Sequence, residues 1–255
     1  ELDNNLLIAK NVMAISYAET ADYDKAMKIF SENLKKAEEI GNKDIINRSL
    51  GNIGNIYDDK GEHAKALDYF NRSLKIREEL GNKQGIVISL GSIGNYYCNK
   101  GDLDTALDYY ERSLAIREEL GDKSGIGSSL HNIGIVYSDK GDFKKAEEYF
   151  EKSLAIKKEI GLGADDLIWS TTYLYLTYKH LGKEYDVKEI HTLIKEAEYI
   201  EFELNLRLYE LIEDKFYLET AYNQVQEKVS AMDDGTKFLS YPIPKAIVEE
   251  WEKVK

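Results

Sequence analysis

The 255-residue chain is predicted to be all-α, a solenoid of antiparallel helix pairs stacked one on the next. Three observations predict this. Glycine recurs at a fixed interval: Gly41, Gly81, Gly121 and Gly161 share one offset, and Gly61, Gly101 and Gly141 share another. The stretch GNKDIINRSLGNIGNIYDDKGEHAKALDYFNRSLKIREEL (41–80) is followed by GNKQGIVISLGSIGNYYCNKGDLDTALDYYERSLAIREEL (81–120), with 25 of 40 positions identical. A constant period of this size marks a repeat array. The only prolines, Pro242 and Pro244, stand near the end, so nothing earlier removes a backbone donor from a long helix.

The units run 1–40, 41–80, 81–120 and 121–160. The first is the weakest copy, with Ala21 where the others carry their second glycine. Each reads as two helices. In the first helix of the second unit, Leu50, Ile53, Gly54 and Tyr57 recur at helical spacing. Their equivalents are Leu90, Ile93, Gly94, Tyr97 and Leu130, Ile133, Gly134, Tyr137. The second helix runs from about Glu62 to Leu80, with Ala66, Phe70, Ser73 and Leu74 on one face. Gly61 breaks the pair, and Gly81 ends the second helix where a left-handed residue is needed. Asp102 and Asp142 are N-cap candidates. Gly54 and Ala66 are small where the two helices approach closely, while Phe70 and Tyr57 fill the space to the next unit. One pair cannot bury both of its apolar faces, so stacking supplies the core.

Residues 161–232 read as divergent helical repeats. Tyr175, Tyr178 and Gly182 keep a trace of the first-helix pattern, shifted by one residue, and Val187, Ile190, Ile194 and Ala197 continue at helical spacing. A further pair is expected between about Glu201 and Met232, from the stripes Leu204, Leu208, Leu211 and Tyr217, Ala221, Val225. Residues 233–255 hold the turn Asp233-Asp234-Gly235, an extended Tyr241-Pro242-Ile243-Pro244 and a last helix Lys245 to Val254 presenting Ile247, Trp251 and Val254. A solenoid needs an atypical end, which makes this tail a cap. The other reading is a tail that docks on a partner or mediates self-association with a second copy.

Gly54, Tyr57, Gly61, Ala66, Phe70 and Leu74 resemble the tetratricopeptide repeat consensus, with Ser73, Ser113 or Ser153 at the small position near the motif's end. The closing proline is missing, and the unit has 40 residues instead of the usual ~34. That longer unit resembles spindle-orientation adaptors of the Pins/LGN type and, more loosely, kinesin light chain and prokaryotic tetratricopeptide signalling proteins. The tail faintly resembles the ends of bacterial cyclases, kinases and transcription activators that carry such repeats. The likeness is closest over 41–160, good over 1–40 and weak beyond 161. It implies a right-handed superhelix, with the first helices of successive units lining a concave groove.

The groove face is then the set offset from the core residues. The second unit contributes Arg48, Gly51, Asn52, Asn55, Asp58 and Asp59, and the third contributes Ile88, Gly91, Ser92, Asn95, Cys98 and Asn99. The fourth contributes Ser128, His131, Asn132, Ile135, Ser138 and Asp139, and the first Asn11 and Glu19. Asparagine is a poor helix former, so its recurrence in mid-helix is informative. Its amide donates and accepts, and a row of amides can pair with the main chain of an extended peptide. The Asn-Ile-Gly-Asn motif resembles the groove motif of the adaptors, which implies Asn52, Asn55, Asn95 and Asn132 as ligand contacts. With them stand Asn11, Arg48, Asp59, Asn99 and His131. The alternative is a solvated helix face. A carboxylate clamp of the chaperone-binding kind is not expected, because only Arg48 is basic in this set.

Net charge is −13, and the stretch from Leu162 onward carries 11 basic against 19 acidic residues. That argues against nucleic acid or an anionic membrane as partner, since both need a positive face. A single cysteine, Cys98, cannot form an internal disulfide and fits a reducing, cytoplasmic setting. No apolar run approaches the ~20 residues that span a bilayer, and no signal peptide is visible. The start at Glu1, without methionine, suggests a fragment of something longer.

Catalytic and cofactor chemistry is not expected. GNIGN lies inside a predicted helix and has no following lysine, so it is not a phosphate loop. His63, His131, His180 and His191 are scattered without a metal-binding i, i+4 partner. His131 reads as a surface histidine and Cys98 as a half-buried inert thiol. Pairs such as Glu78-Glu79 and Glu118-Glu119 read as solvated faces matched to bases on their own helices, and the 19 tyrosines as core. The expected function is a scaffold holding a protein or peptide partner. The alternative is the regulatory or sensor region of a larger signalling protein such as a cyclase, kinase or transcription regulator.

Overall fold

The repeated turn chemistry sets the helix boundaries. Asp22, Asn42, Asn82, Asp102, Asp122 and Asp142 each accept from a backbone N–H three residues on, satisfying a donor the first turn leaves orphaned. Gly41 and Gly121 close helices in the left-handed conformation, at φ 68° and 66°. The computed structural model describes residues 2–20, 22–230, 238–239 and 242–255, apart from the side chains of Leu2, Asp3 and Glu19.

The chain is an all-α, right-handed superhelical solenoid. The repeat region comprises α1 (Leu2–Glu19), α2 (Tyr23–Ile40), α3 (Lys43–Asp59), α4 (His63–Glu79), α5 (Lys83–Asn99), α6 (Leu103–Leu120), α7 (Lys123–Asp139) and α8 (Phe143–Glu159). Among the described residues α9 (Ala164–Leu181), α10 (Val187–Glu196), α11 (Phe202–Ile212), α12 (Lys215–Ser230) and α13 (Pro242–Val254) follow. Consecutive helices pack on one another from α1 to α9; after that α10 and α11 both pack on α9, and α12 packs on α11 and α13.

The core lies between units. Ala66 and Phe70 of α4 pack with Leu90 and Ile93 of α5, and Ala106 and Tyr110 of α6 with Ile133 and Val136 of α7. The glycine of each first helix makes room for the ring of its partner. A Cβ on Gly54 would stand 2.5 Å from Phe70, on Gly94 2.6 Å from Tyr110, and on Gly134 2.7 Å from Phe150. The tight contact is therefore glycine against ring, not glycine against Ala66. A buried polar seam runs alongside: Ser153 Oγ donates to the Gly127 carbonyl at 2.7 Å, and Asn33, at the matching position of the first unit, donates to the Leu7 carbonyl at 2.9 Å.

Three expectations are revised by the structure. Pro242, Ile243 and Pro244 form the first turn of α13, not an extended segment; early helix positions need no intrahelical N–H partner, so proline is tolerated there. Asp233-Asp234-Gly235 and Tyr241 lie outside the described residues. Glu79, Glu119 and Glu159 pair with Lys43, Lys83 and Lys123, at 3.0, 2.6 and 2.6 Å, on the other helix of the same unit rather than on their own. Most tyrosines edge the core instead of filling it: Tyr57–Tyr69, Tyr97–Tyr109 and Tyr137–Tyr149 stack half-buried against it at 5.4–5.7 Å between ring centres.

The end of the chain covers itself. Ile247 of α13 is fully buried against Leu206, Leu218, Ala221 and Val225 of α11 and α12, and Trp251 stacks on Tyr222. The superhelix also returns toward its beginning. Lys228 Nζ of α12 reaches Asp59 Oδ1 of α3 at 3.8 Å, and Tyr199, Glu201 and Phe202 face Ala18 and Tyr23 across a cavity of about 390 Å³. No helix among the described residues is long and apolar enough to cross a membrane.

Candidate interaction groove

The first helices α1, α3, α5 and α7 present their polar offset face to the inside of the superhelix, where three cavities lie, two of them adjoining. One, of about 340 Å³, lies across α1, α3 and α5 and includes Asn11, Arg48, Asn52 and Asn55 in its lining. A smaller one, of about 210 Å³, shares Ile15, Asn52 and Asn55 with it and is edged by Asp59. The third, of about 500 Å³, takes Asn95 and Asn99 from α5 and His131 and Asn132 from α7. The nine residues singled out in the sequence therefore all line these cavities. No hydrogen bond engages the side chains of Asn52, Asn55, Asn99 or Asn132 among the described residues, whereas Asn95 Oδ1 accepts from Tyr110 Oη at 2.6 Å.

Two of the nine differ in character from the sequence expectation. His131 is not a surface residue: it is 7% exposed, between Phe150 and Tyr173, with Nδ1 3.3 Å from Ser170 Oγ. Burial, reinforced by the nearby Lys157 ammonium, pushes its pKa down to about 3, so the ring is neutral. Asn11 is 5% exposed and has one fixed face. Asn33 Nδ2 donates to Leu7 O and, at 3.2 Å, to Asn11 Oδ1, so the Asn11 amide nitrogen is turned away from Asn33. That nitrogen has no partner. Asp59 is held above the usual carboxylate range by burial, against the pull of Lys228. Cys98 is half-buried, and desolvation raises its thiol to about 12, far from a reactive thiolate.

Sequence reasoning missed the cations that arrive from the second helices. Arg77 of α4 passes beneath α5 into the 340 Å³ cavity, and Lys157 of α8 reaches the 500 Å³ one. Arg77 Nη1 donates to Gly85 O at 2.5 Å and Ser89 Oγ at 3.1 Å; in the amide orientation that satisfies both its ends, Asn47 accepts from Nε at 3.2 Å. Lys157 donates to Asp166 O at 3.1 Å and Ser170 Oγ at 3.0 Å. A signal was present. Arginine at 77 and 117 is followed eight residues on by Gly85 and Gly125, whereas the first unit pairs Ala37 with Ile45. A Cβ on Gly85 would stand 2.7 Å from Arg77 Cδ, so the long cation requires the glycine. The tail adds Asp165, Asp166, Trp169 and Glu203 to the larger cavity, making that end of the groove acidic.

The family model of the tetratricopeptide repeat matches residues 5–79 and 86–159. No curated protein matches the chain in sequence. Among solved structures the chain is similar to BtubC (BKLC) from P. vanneervenii, with 22% identity and a TM-score of 0.64 over 75% of this chain and 78% of that one. It is also similar to a Rap protein complexed with Competence and Sporulation Factor, at 15% identity and a TM-score of 0.66, covering 96% and 73%. A third is a signal transduction ATPase with numerous domains and a tetratricopeptide repeat sensor from Pyrococcus horikoshii, at 16% identity and a TM-score of 0.61, covering 96% of this chain and 36% of that one. At these identities the likeness is one of fold.

Proposed function

Because the chain belongs to the tetratricopeptide repeat family, we propose that it is a protein-interaction scaffold that holds an extended polypeptide in its concave groove. The observation that carries this reading is the row of amides: Asn52 and Asn55 line two adjoining cavities, and Asn95 and Asn132 the third. Three of these four amides have no hydrogen-bond partner among the described side chains. An extended main chain offers alternating donors and acceptors, which such a row can meet. Asn11, Arg48, Asp59, Asn99 and His131 complete the proposed lining, with neutral His131 acting as wall more than as a hydrogen-bonding contact. The reading assigns the chain no catalysis and no cofactor.

The test is capture from source lysate on the immobilised protein, with Asn52, Asn55, Asn95 and Asn132 changed together to alanine as comparison. Far-UV circular dichroism checks that the variant remains helical. A partner held by the parent and lost by the variant is the expected result; equal capture sinks the groove reading and moves attention to the convex face or the acidic tail. A second reading is supported by the Pyrococcus neighbour, in which a repeat sensor belongs to a much longer signalling ATPase. In that case the groove is the sensing element of a larger protein, and the complete reading frame decides it.

A further inference from the structure

We propose that the cavity across α1, α3 and α5 is a receptor for an acidic side chain of the bound polypeptide, seated on the Arg77 guanidinium and the Asn11 amide. The inference rests on the groove reading above and names the chemistry of one of its subsites.

Arg77 is a half-buried cation without a counterion. No carboxylate lies within 4.0 Å of it among the described residues, and its internal bonds go to a carbonyl, a hydroxyl and an amide through Nη1 and Nε. Desolvation alone holds its pKa below the usual arginine range. Its Nη2 points toward the cavity side of α3, 3.8 Å from where a Cβ on Gly51 would stand. The next unit shows the counterion that is missing here. Arg117 occupies the matching place and pairs with Asp122, at the start of the unit that follows it, at 3.3 Å; forty residues earlier, the residue matching Asp122 beside Arg77 is Asn82. Both Asn82 and Asp122 cap their helices equally well, so capping does not explain the exchange of charge.

The second donor is independent of the first. Asn11 is held by Asn33 with its oxygen inward, which leaves its buried Nδ2 without an acceptor in the lining of the same cavity. Arg48, exposed at the rim, has no ion pair among the described residues. No carboxylate among the described residues lines this cavity, in a chain whose net charge is −13. A carboxylate accepts from a guanidinium edge and an amide together, and such charge-assisted bonds are the strong ones. The walls are aliphatic and wet: Ile8, Val12, Ile15 and Ile88 are 43%, 63%, 40% and 58% exposed. The occupant that fits is therefore an aspartate or glutamate flanked by aliphatic residues. The cavity opens through Ile15, Asn52 and Asn55 into the neighbouring one, so the chain continues past it and the carboxylate belongs to a side chain, not a terminus.

The test begins with two small probes of the same shape, isovalerate and isovaleramide, titrated into the ¹⁵N-labelled protein. Isovalerate is expected to shift the Arg77 Nε–H and Asn11 side-chain amide resonances saturably, with isovaleramide at least tenfold weaker. Asn82→Asp restores the counterion found one unit on while keeping the helix cap, and is expected to weaken isovalerate tenfold or more without loss of fold. Equal binding of acid and amide, or Asn82→Asp without effect, overturns the proposal. Capped pentapeptide pools Ac-X-X-Glu-X-X-NH₂ and Ac-X-X-Gln-X-X-NH₂, with an uncapped Gln pool, follow. The glutamate pool is expected to bind at least tenfold tighter than the capped glutamine pool; a tightest uncapped pool moves the carboxylate to the terminus and overturns the side-chain assignment. Pools that bind equally, with acid and amide probes also equal, sink the subsite and leave the groove reading standing. Isovalerate binding without binding of any pool sinks the groove reading and, with it, the peptide occupant of the subsite.

Discussion

His131 shows how a residue's chemistry follows from its surroundings and not from its type. Its helix position places it on the groove side, but the rings of Phe150 and Tyr173 and the Ser170 hydroxyl enclose it. With a folded pKa pushed down to about 3, against about 6.5 in the unfolded chain, the unfolded state alone takes up a proton as pH falls through that window. The sign is therefore fixed: His131 subtracts stability below about pH 6.5, with a slope of up to ~1.4 kcal/mol per pH unit, and contributes no pH dependence above it. Urea midpoints of the parent and His131→Gln, measured at pH 7.5 and pH 5, test this. The parent is expected to lose more than the variant on acidification; equal losses mean that other groups carry the acid sensitivity. Asn11 makes the same point through orientation. Its identity was readable, but its free donor depends on Asn33, twenty-two positions away, and no pattern within one helix reveals that.

At the level of helices, the spacing of apolar residues identified every pair through α8, and the stripes after residue 161 marked α9 to α12. The reason is physical: caps and glycine stops recur at most junctions of the repeat region, and a 3.6-residue period is hard to mistake over 17 residues. Three things were not legible. The entry of Pro242 and Pro244 into α13 depends on where its first turn begins. Cross-helix ion pairs depend on superhelical geometry, not on spacing within one helix. The Arg77 side chain crosses beneath a different unit, which only the pairing with Gly85 hinted at. Glycine itself separates two kinds of helix position. Gly54→Ala drives a methyl into the Phe70 ring, an overpacking cost of about 1–3 kcal/mol that outweighs the ~1 kcal/mol gained in helix propensity. Gly91→Ala meets nothing within 4 Å and keeps that gain. Urea unfolding is expected to show a lowered midpoint for the first and a raised one for the second; a raised midpoint for Gly54→Ala removes the close-approach argument.

The whole molecule nearly closes on itself. Lys228 lies between Asp59 of the second unit and the rings of Phe202 and Phe238, at 5.7 and 5.4 Å, so it both anchors the tail and faces the early units. The pair is partly exposed, 33% and 46% for the two side chains, and a contact of that kind is worth less than about 1 kcal/mol. Lys228→Glu places like charges opposite Asp59 and is expected to widen the molecule, raising the radius of gyration in small-angle scattering with little change in melting temperature. An unchanged radius shows that packing of α11 and α12 sets the tail's position without help from the ion pair.

The lysine–glutamate rungs that each span 36 residues and recur every 40 have a mechanical consequence. Each ties the two helices of one unit, none is strong, and the units at 41–80 and 81–120 are close to copies. Compliance is therefore shared evenly along the coil, which behaves as a spring with no single stiff link. Tension applied at its ends releases it unit by unit, each freed unit of 40 residues extending to about 130–140 Å of chain. On the groove reading proposed above, a polypeptide lying along the inner face would clamp several units at once and stiffen the spring, so occupancy would be written into its elasticity.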